Sequence, residues 1–380
     1  MGAKTECMLN QNKSRKKVLI IYHPGTATGI VRALQFGPLF EKSGDWEATY
    51  IARHSTRLYR WLWWLNRPAM PALVRPLKRL MERYSASWHR RHDHNIANMA
   101  ISYDAVYIAK SPGLDFYRAL ANLGRPRVFM DFNDGLWLPE FQKGPAGWRD
   151  LDKMLSVAHG IICENDCVAE YATKYNRNVF LVPDAPQVEA FDLLRTTIAR
   201  DPNRLVLGWL GNELNMGPLY KIFEALEILF ERHPGLHLRI VGAREAHIPH
   251  FEQVRWSSRP TFTQDEMVRE VLKFDIGLFP LFHLGDGRAR GTLKAKVYMS
   301  AGCVAACEGF GENPKLVTDG ENGVLCSSPA EWKEKLEWLV THPEERNMIA
   351  RRGLDTIQRQ FKAEHMFAKL AAAFSALTND

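Results

Sequence analysis

Three cations fall close together in the stretch DGRARGTLKAKVYMSAG, residues 286–302: Arg288, Arg290 and Lys294. Guanidinium and ammonium groups at this spacing, around Gly291 and Thr292, suit a doubly charged oxyanion such as a diphosphate. Something must hold them together. Asp286-Gly287 predicts a turn, and from Thr292 onward the pattern is helical. Leu293, Val297 and Ala301 recur at intervals of four, Thr292 suits the N-cap and Gly302 suits the stop. A helix start adds unpaired backbone N–H groups and a partial positive charge, which favour the same anion.

The chain around this stretch has 380 residues, 46% hydrophobic and 24% charged, which predicts a folded protein of two domains. No apolar run reaches the ~18 residues of a membrane span. The N-terminus has no apolar signal core, so a cytoplasmic protein with a disordered leader over residues 1–15 is expected. Gly2 follows Met1, but Glu6 stands where a myristoylation site carries Ser or Thr. The six cysteines (Cys7, Cys163, Cys167, Cys303, Cys307, Cys326) are scattered and lack histidines at ligand spacing, which fits reduced, buried thiols better than zinc or disulfides.

Strand-like runs alternate with helical patterns throughout. KKVLIIYHPGTATGIVRAL reads as a strand, a Gly/Pro/Thr loop and a helix, the opening of a doubly wound α/β domain. Further strands are expected at 46–52, 103–110, 127–132, 160–165 and 178–183, with helices over 114–123 and AEYATKY. His23, Asp131 and Asp134 lie at predicted strand ends, where they suit either orientation of an acceptor or the ordinary work of caps and turns. The polar, proline-flanked run from Pro183 to Asn203 reads as the connector. A second series opens at 204–213 with a buried strand and a Gly/Asn loop, and further strands follow at 236–242, 276–281 and 303–307. Two amphipathic helices come next, and a last helix spans 363–377.

Charge is uneven. Residues 1–100 carry seventeen Lys and Arg against six acids, a net +11 in a chain of +7, which points to an anionic partner of the first half. Residues 57–92 concentrate it, with nine Lys and Arg, the single acid Glu82 and four of the eleven tryptophans. Pro68, Pro71 and Pro76 predict short pieces here rather than one long helix. Arg60, Trp61, Trp63, Trp64, Lys78 and Arg79 suit an anionic membrane surface. The same composition also fits tryptophans packed on the domain beneath solvated arginines, or bases stacked on aromatics. Nucleic acid is not expected as a partner.

In the second half, the run DIGLFPL…GRARGTLKAKVYMSAG…GENPKLVTDGENGVL…EW resembles the C-terminal half of the group 1 glycosyltransferases. VRWSS, GWLGN, FNDGLWLP and AEYATKYN are similar to the same family, so the resemblance covers most of the chain and is motif-dense over 204–340. It implies an α/β fold of two Rossmann-like domains facing across a cleft, the GT-B fold. An acceptor-side domain would span 16–192, with the insertion 57–92, and a donor domain 200–360. A C-terminal helix over 361–380 would pack back on the first domain.

The resemblance implies a retaining hexosyltransferase that uses a nucleotide-sugar donor, UDP- or GDP-linked, without a metal. Arg290 and Lys294 would hold the diphosphate, helped by Arg288. The amides of Gly309, Phe310 and Gly311 would face the sugar and phosphates, ordered by Asn313. Gly211 and Asn212 would approach the nucleotide, and Gly25 would close over the donor. Ala289 and Val297 stand where many members carry two glutamates, the second of which binds the ribose, so Asp286 and Glu312 become the candidates for that contact. No protein nucleophile is implied, because a leaving-group oxygen takes the acceptor's proton. The acceptor would be lipid-linked or a membrane-proximal glycan, handled at the inner face of the cytoplasmic membrane. The alternative is a GT-B-shaped binding protein without turnover, recruited to a membrane or another anionic surface.

Overall fold

A computed structural model describes residues 14–24, 26–53, 75–142, 148–244, 255–281 and 285–379. The chain divides into two units: residues 1–132, 139–182 and 367–380 form the first, residues 133–138 and 183–366 the second.

In the first unit, β1 (Lys16–Tyr22) has four consecutive residues, Val18 to Ile21, fully buried. Such a run is stable only where helices cover both faces of a parallel sheet. The unit supplies that arrangement with β2 (Trp46–Ala52), β3 (Ala105–Ala109), β4 (Arg127–Phe132), β5 (Gly160–Cys163) and β6 (Val179–Leu181). All pair in parallel, in the order β2-β1-β3-β4-β5-β6. The order reverses between β1 and β3, so ligand-binding loops are expected at their carboxyl ends. His23 follows β1 there, and Lys110 follows β3 with φ +43, a conformation that costs a non-glycine residue energy.

From residue 75 the basic insertion departs from the expected short pieces. Arg75–Ala100 is a single 26-residue helix. Pro76 is its second residue, where a proline loses no hydrogen bond because the first-turn amides have no intrahelical partner. Ile96, Ala97 and Ala100 anchor its end in the core. Trp88 stacks on His92 with centroids 4.6 Å apart, and His92 bonds the Ala52 carbonyl. Lys78 and Arg79 lie in this helix, while Arg60, Trp61, Trp63, Trp64 and Gly25 fall outside the described residues.

The last helix, Ala363–Thr378, belongs to the first unit from Phe367 onward. Phe374 is fully buried against Trp46, Tyr107 and Phe129, with centroids 5.4, 5.7 and 4.9 Å away. Such a side chain contributes about 1.5–3 kcal/mol by burial.

The second unit repeats the plan with β7 (Leu205–Leu210), β8 (Leu236–Val241), β9 (Trp256–Arg259), β10 (Ile276–Phe279), β11 (Val304–Glu308) and β12 (Val324–Cys326). The parallel order is β12-β11-β10-β7-β8-β9, reversing between β7 and β10. At that junction Gly208 pairs with Gly277. A Cβ would lie 2.0 Å from the Phe274 ring at the first and 2.2 Å from the Tyr298 ring at the second. The glycines thus make room for two aromatic rings on the sheet's central pair. The expected connector is part of this unit and holds a helix, Val188–Arg195.

Candidate donor-binding site

The helix Leu293–Ser300 leads away from the three cations, and its construction explains their placement. Ala295 to Ser300 are all buried, so the helix has no solvated face and is fixed on every side. The Tyr298 hydroxyl donates to the Leu278 carbonyl at 3.2 Å and accepts from the Leu210 amide at 2.9 Å, tying the helix to β10 and β7 together. Lys296 is buried, donates to the Asp184 carbonyl at 2.9 Å and lies 4.2 Å from the centroid of the Phe361 ring. At the other end, Arg195 donates to the Ser300 carbonyl, and Arg200 to the Ala301 and Gly302 carbonyls. Cations at a helix C-terminus satisfy its orphan acceptors and complement its dipole. Thr292 occupies the N-cap position, but its side chain makes no capping bond, against expectation.

Lys294 stands in the first turn of this helix. Its Nζ lies 5.1 Å from the ring centroid of Trp209 on β7 and 5.6 Å from that of Phe279 on β10, at the topological switch of the sheet. Aromatic faces favour a cation by about 0.5–2 kcal/mol. Burial and the neighbouring Arg290 charge oppose it more strongly, while Asp134 acts the other way, and the ammonium's pKa falls to about 7. Arg290 donates from Nη2 to Asn215 Oδ1 at 3.2 Å, which orients its guanidinium. Arg288 is exposed, and Asp286 lies in the preceding 3₁₀ turn, Gly285–Ala289.

Two glycine loops flank the cations. Gly311 has φ +64, and a Cβ there would lie 2.8 Å from the Gly287 carbonyl oxygen, so this loop lies tight against the turn that carries Arg288. Gly309 donates its amide to the Cys326 carbonyl at 2.8 Å, whereas Asn313 is buried and bonds the Glu308 carbonyl at 3.0 Å. That bond closes the loop holding Phe310. Glu312 is largely buried and pairs with Lys315 at 3.1 Å. On the far side, Gly211 follows β7, and its carbonyl oxygen would lie 1.7 Å from a Cβ at Gly242, whose φ is +102. Only glycine permits that approach. Asn212, next in the chain, is exposed.

The structure thus gathers Arg290, Lys294, the 309–313 loop and Gly211 around the carboxyl ends of β7, β10 and β11 within one unit. Asp134 joins them from segment 133–138, with φ +63. A Cβ at Gly135 of this segment would lie 3.4 Å from that of Ala289.

Asp131, by contrast, does not face a ligand. It is fully buried in the first unit, where Arg32 Nη2 lies 2.5 Å from its Oδ2 and the Tyr107 hydroxyl 2.6 Å. Its partner Arg32 also donates to the Val182 carbonyl at 2.6 Å. This acid holds the sheet to its helix. His23 is half-buried, and burial, followed by the charges of Arg53 and His89, lowers its pKa to about 4, so it is neutral at physiological pH.

Sequence reasoning missed Asn215, Trp209, Phe279 and an ion pair beside the loop, between the buried Glu308 and the partly exposed Lys221. Glu308, 2% exposed, accepts from Lys221 Nζ at 3.3 Å and from the Leu281 amide at 3.3 Å. An acid ending the apolar strand VAACE was the available signal. Among the described residues, no group of three or more His, Cys, Asp or Glu is placed to hold a metal ion, and no helix is long and apolar enough to cross a membrane. The buried thiols of Cys163, Cys303, Cys307 and Cys326 are pushed up by burial, Cys303 to about 12.

Residues 221–372 match the family described as glycosyl transferase-like. The whole chain is similar to solved structures. Anabaena HepE in complex with UDP and glucose superposes with a TM-score of 0.66 at 13% identity, over 96% of this chain and 100% of that one. The sucrose-phosphate synthase of Thermosynechococcus elongatus gives 0.63 at 11%, over 96% and 100%. The α,α-trehalose 6-phosphate synthase of Burkholderia multivorans gives 0.62 at 13%, over 97% and 99%. The comparison with curated proteins found no match. The pattern of the glycosyl transferase-like family thus lies over residues 221–372, and the chain shares the GT-B fold of these solved structures over nearly its full length.

Proposed function

We propose that the second unit binds a nucleoside-diphosphate sugar, with UDP or GDP as the nucleotide, and that the enzyme transfers the sugar with retention and without a metal. The observation that carries this reading is the pairing of Lys294 and Arg290 at the β7/β10 switch, beside the glycine loop 309–311. Breaking a sugar–diphosphate bond leaves growing negative charge on the phosphates. Fixed cations and backbone amides stabilise that charge more in the transition state than in the ground state, so they lower the barrier. The UDP–glucose complex of HepE supports uridine as the base.

Arg290 and Lys294 are the catalytic groups in this reading, because they act on the leaving diphosphate. Gly211, Asn212, Phe310, Gly311 and Arg288 would surround the donor, whereas the Gly309 amide, already given to the Cys326 carbonyl, is withdrawn from the phosphates. With Ala289 and Val297 buried, Glu312 and Asp286 remain the candidates for the ribose. His23, neutral and at the end of β1, suits a hydrogen bond with an acceptor hydroxyl. Asp131 is withdrawn from that role, and Asp134 is reassigned to the electrostatics of Lys294.

The acceptor is proposed to be lipid-linked or membrane-proximal and the enzyme peripheral on the cytoplasmic face, on the strength of the +11 charge of residues 1–100 and the basic, tryptophan-rich run at 57–92. Binding to anionic vesicles that weakens with salt tests this part, since each basic residue near such a surface is worth about 1 kcal/mol.

A thermal-shift screen with UDP, GDP, ADP and their sugars tests the donor. Lys294→Ala should lower the transfer rate by ~10²–10³ with the fold retained. Wild-type rates in that variant would overturn the assignment. Full activity in EDTA is expected, and loss reversed by manganese or magnesium would contradict the metal-free reading.

A further inference from the structure

The first unit holds a second polar cleft, of about 790 Å³, at the edge of its sheet remote from the β1/β3 switch. Arg127 begins β4, His159 precedes β5 and Asn178 precedes β6, so the cleft lies at the amino ends of three strands. Its volume lies in the usual range for small-molecule sites, ~300–1,000 Å³.

The lining contains no carboxylate. Asn176 and Asn178 are consumed by the frame: Asn176 donates to the Leu155 and Ala158 carbonyls, and Asn178 to the His159 carbonyl. These bonds make the rim rigid. The Ser156 and Thr173 hydroxyls donate to the Asp152 and Glu170 carbonyls, and the donors left to the cleft come chiefly from two arginines and a histidine. Arg127 uses Nε on the Leu377 carbonyl at 2.9 Å, which leaves its two terminal nitrogens. Arg177 is exposed, with no hydrogen-bond or ion-pair partner among the described residues. His159 accepts the Val128 amide on Nδ1 at 3.0 Å, so as a neutral ring it carries its proton on Nε2. Burial and the Arg127 charge keep it neutral.

We propose that this cleft is a binding site for a soluble phosphomonoester, with Arg127 and Arg177 holding the phosphate and the His159 Nε2–H completing its hydrogen bonds. Two guanidinium groups facing a cleft without acids match the planar, multidentate recognition that phosphate oxygens favour. The cleft shares no residue with the donor site. It would bind its ligand separately from the nucleotide sugar and report on metabolite supply. Leu377, in the C-terminal helix, forms one wall, so occupancy would also brace that helix.

Equilibrium dialysis of the full chain with radiolabelled inorganic phosphate tests this, performed with saturating UDP so that the diphosphate site is occupied. Phosphate should still bind. Arg177→Glu, which touches nothing the fold needs, should weaken binding at least tenfold, as should Arg127→Gln, while Lys294→Ala leaves it unchanged. Binding that UDP abolishes, or that survives Arg177→Glu, would overturn the proposal. A parallel arm uses neutral vesicles with and without phosphatidic acid. Retention on the phosphatidic-acid vesicles that Arg177→Glu removes, with no binding of free phosphate, would overturn the soluble-ligand reading. The proposed donor function stands or falls separately, on the response of Lys294→Ala to UDP.

Discussion

If Lys294 holds the diphosphate as proposed, it must change its protonation when the donor arrives. In the empty site its pKa lies at about 7, lowered first by burial and then by Arg290. A diphosphate placed within ~4 Å of an ammonium group contributes about 4 kcal/mol per charge pair at an effective dielectric of ~20. At 1.36 kcal/mol per unit, that returns the pKa to about 10 in the complex. The sign follows from linkage: a group whose pKa rises on binding draws in a proton. At pH 8 about nine-tenths of the free enzyme has a neutral Lys294, so UDP should take up ~0.9 proton per site, whereas at pH 6 uptake should fall to ~0.1. Affinity is then fully present below pH 7 and declines about tenfold per unit as pH rises towards the complex pKa. The terminal phosphate of UDP, with a pKa near 6, is already ionised at pH 8 and adds nothing there.

Titration calorimetry in buffers of different ionisation enthalpy reads the proton count directly. Lys294→Met, isosteric but unable to ionise, should bind UDP more weakly, with no uptake at pH 8 and a flat dependence from pH 7 to 9. Wild-type uptake below ~0.2 at pH 8, or uptake that persists in Lys294→Met, would refute the placement of this ammonium against the diphosphate.

Three further outcomes follow from the packing. Tyr298→Phe removes the hydroxyl that joins β7 to β10 and should cost about 1–3 kcal/mol, or ~2–4 °C of melting temperature for each kcal/mol; an unchanged melting curve would remove its bridging role. Asp131→Asn leaves Arg32 buried without its counter-charge and should destabilise the first unit by about 3–5 kcal/mol, with acceptor KM unaltered in the protein that remains folded; a raised KM at unchanged stability would restore the acceptor role. Ala289→Glu places a carboxylate at a position 2% exposed beside Gly135, and should lower stability by several kcal/mol without tightening UDP binding; tighter binding in a stable variant would show that the missing glutamate is simply absent rather than excluded by packing.

The strands were legible because their physics is local. Runs such as VLII and RVFMDF are β-branched or aromatic, bounded by polar residues, and buried on both faces of a parallel sheet, so the sequence carries their whole signal. Misreadings came where a distant partner decides. Asp131 looked like a strand-end acid, and only the return of Arg32, 99 residues away, turns it inward. Pro76 was read as a break because its effect depends on position within a helix, and at the first turn it costs nothing. The run from Pro183 to Asn203 looked like a linker, yet Arg195 and Arg200 in it cap the helix that carries Lys294.

The same division explains what the sequence could say of the site. Arg290 and Lys294 are recognisable as the proposed phosphate ligands from their type and from the glycine between them, because fixed charge and donor geometry belong to the residues themselves. Their tuning does not. The state of Lys294 depends on Trp209 and Phe279, which reach it only because β7 and β10 are neighbours at the reversal of strand order, and on Asp134, which comes from a segment far earlier in the chain. Arg290 likewise takes its direction from Asn215, 75 residues before it. The two glycines that pair across β7 and β10 admit the rings that hold the helix, and the helix in turn sets where its first-turn lysine can stand. The cations could therefore be read from spacing, whereas their coupling to a ligand's protons required the sheet that packs beneath them.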